Sequence, residues 1–197
     1  MGALLAVSRG IDRLNRAIGR ASAWLVVAAI LISAGNALIR KLPDTISSNA
    51  WLELQWWLFA SVFLLAAPWT LASNEHVRID IVSNHLPRPL RSAIEVIGHA
   101  LFLLPLAVLM VWLAWPFFLA SYAQNEQSLN AGGLPQWPAK LLIPIGFALL
   151  ALQGVSELVK RIAIVRGLLT EESGAGAHAI LAGPHGQAGG PPGHADE

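Results

Sequence analysis

Long apolar runs alternate with short polar stretches over most of the chain. A transmembrane helix needs about 20 predominantly apolar residues, and four of the runs meet that requirement. They cover residues 21–39, 51–72, 93–120 and 141–164. The pattern therefore predicts an all-α membrane protein with four transmembrane helices.

The two ends of the chain differ from this apolar part in composition. Residues 1–20 hold four arginines and are interpreted as a basic cytoplasmic N-terminal segment. The apolar run that follows is longer than the core of a signal peptide, so we expect an uncleaved anchor. Residues 167–197 are rich in Gly, Ala and Pro and poor in large apolar side chains, which is typical of disorder. The membrane domain is thus predicted over residues 21–166, followed by a disordered cytoplasmic tail.

The positive charges predict how the helices are oriented. Of the 13 Lys and Arg residues, only Arg40, Lys41 and Lys140 lie on the side opposite to the N-terminus. Cytoplasmic flanks carry the excess of Lys and Arg, so both termini are predicted to lie in the cytoplasm. The outer loops are then residues 40–50 and 121–138.

The overall composition excludes several classes of protein. The chain is 55% hydrophobic with a formal net charge of +1, which fits neither a soluble domain nor a nucleic-acid-binding protein. It has no cysteine, so thiol chemistry and disulfides are excluded. His99 is almost alone in the third run, whereas a di-haem bundle needs several histidines. His178, His185 and His194 lack the compact spacing of a metal site. We expect no cofactor, no metal and no enzymatic activity.

Glu53 is an acidic residue one turn inside the second predicted helix, at its outer end. Charged side chains within a span are costly and turn toward protein or water. One hypothesis makes Glu53 a coupling-ion or proton site. The other, which we favour, makes it an interfacial carboxylate that pairs with Arg40 at the outer end of the first helix and locks the two helices together.

The fourth predicted helix carries a polar stripe toward its cytoplasmic end. Gln153, Ser156, Glu157 and Lys160 follow one another at i, i+3, i+4 and i+7, so they lie on one face. That face needs either another helix or the lipid headgroups as its neighbour. A membrane partner would bury it through interhelical hydrogen bonds worth about 0.6–2 kcal/mol each.

Three stretches contain short sequence motifs that occur together, in this order along four predicted helices, in one known family. Residues 53–60 read ELQWWLFA and lead into NEHVRID at 74–80. Residues 125–128 read NEQS, and GGLP and WP follow them before the fourth helix. Residues 140–154 begin with Lys140 and contain IPIGF and LQG. Together these stretches resemble the small permease (DctQ-type) subunit of tripartite ATP-independent periplasmic (TRAP) transporters, over roughly residues 21–166.

The resemblance implies a division of labour in a bacterial inner membrane. In that family a periplasmic solute-binding protein captures an organic acid, a large permease subunit moves it with sodium, and the small subunit braces the large one. On this basis the expected partners are the large permease, the solute-binding protein and membrane lipids. The residues expected at partner or scaffold interfaces are Glu53, Gln55, His76, Arg78, Asp80, Glu126, Ser128, Trp137, Gln153 and Glu157.

One position departs from the family pattern, and one alternative function remains open. Asn125 stands where glycine commonly precedes the Glu of the NEQS motif, which affects the expected geometry of the turn. The alternative is a self-contained four-helix exporter that dimerises around Glu53. An integral membrane enzyme ranks below both, because no catalytic or ligand cluster is evident.

Overall fold

The computed structural model describes residues 2–41, 49–73, 94 and 96–165. In this part of the chain four helices are long and apolar enough to cross a membrane, which confirms the predicted all-α, four-span fold. The predicted tail and the NEHVRID segment lie outside the described residues. The helices are α1 (Gly2–Ile39), α2 (Ala50–Ala72), α3 (Leu104–Ala123, continuing from a π-helical segment, Gly98–Leu103) and α4 (Trp137–Val165).

The first helix is much longer than its apolar run. It begins at Gly2 rather than at residue 21 and has 38 residues, which corresponds to about 57 Å against a hydrocarbon core of about 30 Å. The good helix formers Ala, Leu and Arg make up about half of residues 2–20, and no proline interrupts them. The segment predicted as a separate basic region is therefore the first half of α1.

Helix α4 is the centre of the arrangement. It packs against α1, α2 and α3, whereas α1 and α2 pair with each other and α3 packs mainly on α4. Small residues allow the close approaches. A Cβ added to Gly19 of α1 would lie 2.7 Å from the Trp69 Cβ of α2, and one added to Gly146 of α4 would lie 2.7 Å from the Leu64 Cβ. Close backbone approach of this kind is how membrane helices gain packing contacts without a hydrophobic driving force.

The start of the third span is π-helical, and a proline follows it at the second position of α3. Pro105 has no backbone N–H with which to continue the α-helical ladder. In the preceding segment the Leu104 N–H donates to the His99 carbonyl, five residues earlier, which is the π-helical pattern. His99 is half-buried at this point.

Large apolar side chains face outward around the bundle. Phe102 in the π-helical segment, Trp112 on α3, Phe63 on α2 and Trp24 on α1 are each 70–76% exposed. The buried apolar side chains are mostly small, with alanines on α1, α3 and α4 among them. This inside-out distribution fits a chain whose solvent is lipid, because large apolar groups are then stable on its surface.

Candidate functional sites

One polar cluster joins the first half of α1 to the second half of α4, and we call it the α1–α4 cluster. Its core hydrogen bond runs from the Asn15 amide nitrogen to the Gln153 side-chain oxygen at 2.8 Å. Gln153 in turn donates to the Asp12 carboxylate at 2.9 Å and to the Glu157 carboxylate at 3.0 Å. One amide therefore connects two acids and a second amide across the helix interface.

A lysine supplies the positive charge of the α1–α4 cluster. The Lys160 ammonium lies 2.9 Å from Asp12 Oδ2 and 2.6 Å from Glu157 Oε1. Ser156 donates to Asp12 Oδ1 at 2.8 Å, and its hydroxyl lies 2.7 Å from that of Ser8. Two carboxylates thus share one ammonium, and both also accept a hydrogen bond from the Gln153 amide. Buried charges are tolerated only when they are paired and hydrogen-bonded in this way.

The cluster identifies the neighbour of the polar stripe predicted on the fourth helix. Gln153 is fully buried and Glu157 is 4% exposed, because both face α1 of the same chain. These contacts lie within the chain, and a role for Gln153 and Glu157 at an interface with another protein stays a prediction. Asp12 and Asn15 were missed by the sequence reasoning. A signal was present, since Ser8, Asp12, Asn15 and Gly19 recur at intervals of four and three residues on one helix face.

A second polar cluster forms at the opposite end of the helices, around Glu53 and the α3–α4 loop (residues 124–136). One carboxylate oxygen of Glu53 accepts hydrogen bonds from the Ser128 hydroxyl and, at 2.8 Å, from the Asn130 amide. The other accepts the Leu134 backbone N–H at 2.7 Å. Glu53 therefore ties the loop to α2. The predicted pairing of Glu53 with Arg40 stays a prediction.

The backbone of the α3–α4 loop is fixed by special conformations and internal hydrogen bonds. Asn125 has a positive φ of 45°, a region that asparagine and glycine adopt more readily than other residues. Asparagine therefore suits the position where the family pattern has glycine. A Cβ added to Gly133 would lie 2.8 Å from Glu53 Oε1, so glycine is needed where the loop meets the carboxylate. Ser128 and Leu134 are also joined through the backbone at 3.1 Å.

The first turn of α4 holds the beginning of the loop through charge. The Lys140 ammonium pairs with the Glu126 carboxylate and lies 4.2 Å from the centroid of the Phe117 ring. The hydrogen bond from Lys140 holds the pKa of Glu126 below its usual value. Trp137 at the start of α4 packs edge-on against Tyr122 of α3, with ring centroids 5.3 Å apart. Both ends of the loop are thereby fixed to the helices that flank it.

The predicted site residues therefore separate into groups. Glu53, Glu126, Ser128 and Trp137 come together at the α3–α4 loop, whereas Gln153 and Glu157 lie in the α1–α4 cluster. Gln55 is half-buried on α2. Residues 76, 78 and 80 lie outside the described part of the chain, so their roles stay predictions.

The structure adds one loop residue that the sequence reasoning did not single out. Leu129 is fully exposed, although Ser128 and Asn130 on either side of it are both held by Glu53. Its side chain lies at the edge of a cavity of about 480 Å³ that also borders Trp56 and Gln136. No sequence pattern distinguishes this leucine from one that is buried.

Comparison with models of known protein families gives a match to a transporter family. Residues 29–163 match the family model described as tripartite ATP-independent periplasmic transporters, DctQ component. Searches of curated proteins and of solved structures gave no match. The matched range begins at residue 29, near the end of α1, takes in all of α2 and α3, and extends almost to the end of α4.

Proposed function

Because the chain belongs to the DctQ component family of tripartite ATP-independent periplasmic transporters, we propose that it braces the large permease subunit and helps to receive the solute-binding protein during sodium-coupled uptake of an organic acid. As a member of that family the chain is a multi-pass inner-membrane transporter subunit and not an enzyme. The partners, the coupling ion and the acid belong to the proposal.

The observation that carries the proposal is the way in which Glu53 holds the α3–α4 loop. Three groups of the loop converge on one carboxylate, and Leu129 projects from between two of them. Fixing a loop costs conformational entropy, and an exposed leucine gains nothing while it faces water. An exposed apolar side chain on a backbone held at both neighbours is suited to binding a partner, because the backbone needs little further ordering on contact.

The buried polar groups support a bracing role over a transporting one. In the described part of the chain, the acids and amides of the α1–α4 cluster bind one another and lie toward one end of α1. Moving an organic anion or sodium across the hydrocarbon core requires polar groups that replace its water. Glu53 is committed to the loop, which also removes the feature on which the exporter alternative depends. Transport chemistry is therefore assigned to the large subunit.

The outward face of α3 supports contact with another membrane protein. Helix α3 packs mainly on α4, and a wide apolar groove of about 870 Å³ lies between them, bordered by Val108, Trp112, Ala148 and Leu152. We assign this side to the large permease subunit. His76, Arg78 and Asp80 are proposed to contact the same subunit from the cytoplasmic connection.

Reconstitution tests the division of labour directly. Vesicles that hold the large permease with and without this chain are given the solute-binding protein, a labelled organic acid and a sodium gradient. We expect uptake only when both membrane subunits are present, and none from this chain alone. Uptake by this chain alone would contradict the proposal and favour the exporter.

A substitution at the loop tests reception of the solute-binding protein. Leu129→Ser should raise the concentration of binding protein that gives half-maximal uptake by at least about tenfold, since burying a leucine is worth about 1.5–3 kcal/mol. Folding should not change, because Leu129 is fully exposed. Gln124→Ala, at another exposed position of the loop, is the matched control. Unchanged concentration dependence in Leu129→Ser would remove the loop from the docking site while leaving the bracing role intact.

A further inference from the structure

Four arginines form one stripe along the first half of α1. Arg9, Arg13, Arg16 and Arg20 are spaced by four, three and four residues, which places them on the same helix face. Arg16 is half-buried and the other three are exposed. We call this set the arginine stripe.

The α1–α4 cluster fixes the direction in which the arginine stripe points. Ser8, Asp12 and Asn15 are bound to α4, and each immediately precedes a stripe arginine. One residue corresponds to a turn of about 100° around the helix. The stripe therefore points to the side of the interface with α4, and α1 cannot rotate to bury it without breaking the cluster.

The charges of the stripe are not neutralised by the described part of the chain. Arg9 donates to the Leu5 carbonyl of its own helix at 3.3 Å, and the described residues provide no hydrogen bond or ion pair for Arg13, Arg16 or Arg20. The nearby acid is unavailable, because Asp12 is occupied by Lys160, Gln153 and Ser156. Four neighbouring cations are therefore left open to an anionic partner beyond the described residues.

The position of the stripe along α1 identifies that partner. Gly19 packs against Trp69, near the end of α2, and tryptophan is enriched at membrane–water boundaries. Arg16 and Arg20 flank Gly19 along the helix, so they lie near this boundary. Arg9 and Arg13 follow on the side away from the hydrocarbon core, and long arginine side chains reach along a helix to the headgroups.

We propose that the arginine stripe binds the phosphate groups of anionic phospholipids. A guanidinium matches phosphate geometry with two parallel hydrogen bonds, and basic groups near a membrane surface attract anionic headgroups. Lipid bound along this face holds α1 in its tilt and depth independently of the large subunit. The competing occupant is an acidic surface of that subunit.

The test compares lipids retained by the full chain. The protein is reconstituted in nanodiscs of equal phosphatidylglycerol and phosphatidylcholine, and the lipids that remain bound are counted by native mass spectrometry. We expect phosphatidylglycerol to be enriched. The pair Arg13→Gln and Arg20→Gln should reduce the enrichment about tenfold, while the same pair changed to Lys should retain most of it.

The controls separate lipid binding from folding and from protein contact. Lys41→Gln removes a charge at the other end of α1 and should leave the enrichment unchanged. The proposal would be overturned if the unaltered chain retained both lipids equally. It would also be overturned if the Gln pair enriched phosphatidylglycerol as much as the unaltered chain does. Loss of co-purification with the large permease at unchanged lipid enrichment would overturn it as well, because that result assigns the stripe to a protein partner. Monodisperse elution of the Gln pair establishes that it is folded.

Discussion

The α1–α4 cluster and the Glu53 cluster both use carboxylates, but they connect different kinds of structure. The first joins two helices, and its amide and acid groups are largely shielded from solvent, with Gln153 fully buried and Glu157 4% exposed. The second joins a helix to a loop and is only partly buried. A buried charge is stabilised only by its protein partners, so the loss of any one of them is costly. A polar group near water that loses a partner can hydrogen-bond to water instead. The same residue type thus determines bundle stability at one end and loop geometry at the other.

Breaking the buried charge balance should have the largest effect. Lys160→Leu leaves two carboxylates without their ammonium, a change that costs about 3–5 kcal/mol in a fully buried pair. Because Lys160 is 19% exposed, we expect about 2–3 kcal/mol, or a fall in melting temperature of about 5–10 °C. Thermal unfolding in detergent measures it.

Two further variants show whether charge is the cause. Lys160→Arg keeps the charge, so its melting temperature should fall by less than that of Lys160→Leu. Adding Glu157→Gln to Lys160→Leu removes one uncompensated acid and should restore part of the lost melting temperature. If Lys160→Leu melts at the temperature of the unaltered protein, the cluster does not stabilise the bundle and the comparison fails.

Removing the loop anchor should have a smaller and more local effect. Glu53→Ala deprives the Leu134 N–H of its acceptor, and hydrogen bonds to charged groups are worth about 1.5–3 kcal/mol. We expect amide exchange in residues 128–134 to accelerate about tenfold, with little change in melting temperature. Hydrogen–deuterium exchange followed by mass spectrometry resolves this region.

The matched control for the anchor lies on the same helix. Gln55→Ala removes a half-buried polar side chain that has no hydrogen bond to the loop in the described part of the chain, so loop exchange should stay unchanged. A drop in melting temperature in Glu53→Ala as large as that in Lys160→Leu would erase the distinction between the two ends.

The smallest expected effect is the pH dependence of the link at the start of α4. Because the pKa of Glu126 is lowered from 4.5 when folded, the link to Lys140 contributes fully above that value. The contribution is lost as the pH falls below 4.5 and through the folded pKa. Lys140→Met should raise the titration midpoint of Glu126, followed by carbon-13 NMR of its carboxyl group. Lys140→Arg should leave it low, and an identical midpoint in Lys140→Met would show that another group sets the pKa.

The four spans were predictable because a bilayer imposes a minimum apolar length, and runs such as 51–72 meet it. The length of α1 was not, because residues 2–20 resemble a basic flank when read for hydropathy. The helix through them is stabilised by partners on α4, above all Gln153. Those partners lie more than 130 positions away in the sequence, so local pattern does not reveal them.

The contact between Glu53 and the α3–α4 loop was only partly predictable from the sequence. Motifs shared with the DctQ family singled out Glu53, Glu126 and Ser128. Glu53 was expected to pair with another group at the outer end of the helices. Proximity along the helix ends favoured Arg40 as the partner. The contacts that the structure gives to Glu53 come from a loop that begins more than 70 positions later, and the turn of that loop depends on the φ angles of Asn125 and Gly132.

The sequence separation within both clusters also sets an order of events during synthesis. Asp12 precedes Ser156 by 144 positions and Glu53 precedes Ser128 by 75. At about 5–20 residues per second, Asp12 is made about 7–30 s before that partner and Glu53 about 4–15 s before its own. Until then water must solvate both carboxylates. The last quarter of the described chain, from Ser128 to Lys160, supplies the groups that complete both clusters, so the earliest helices reach their final contacts only when α4 arrives.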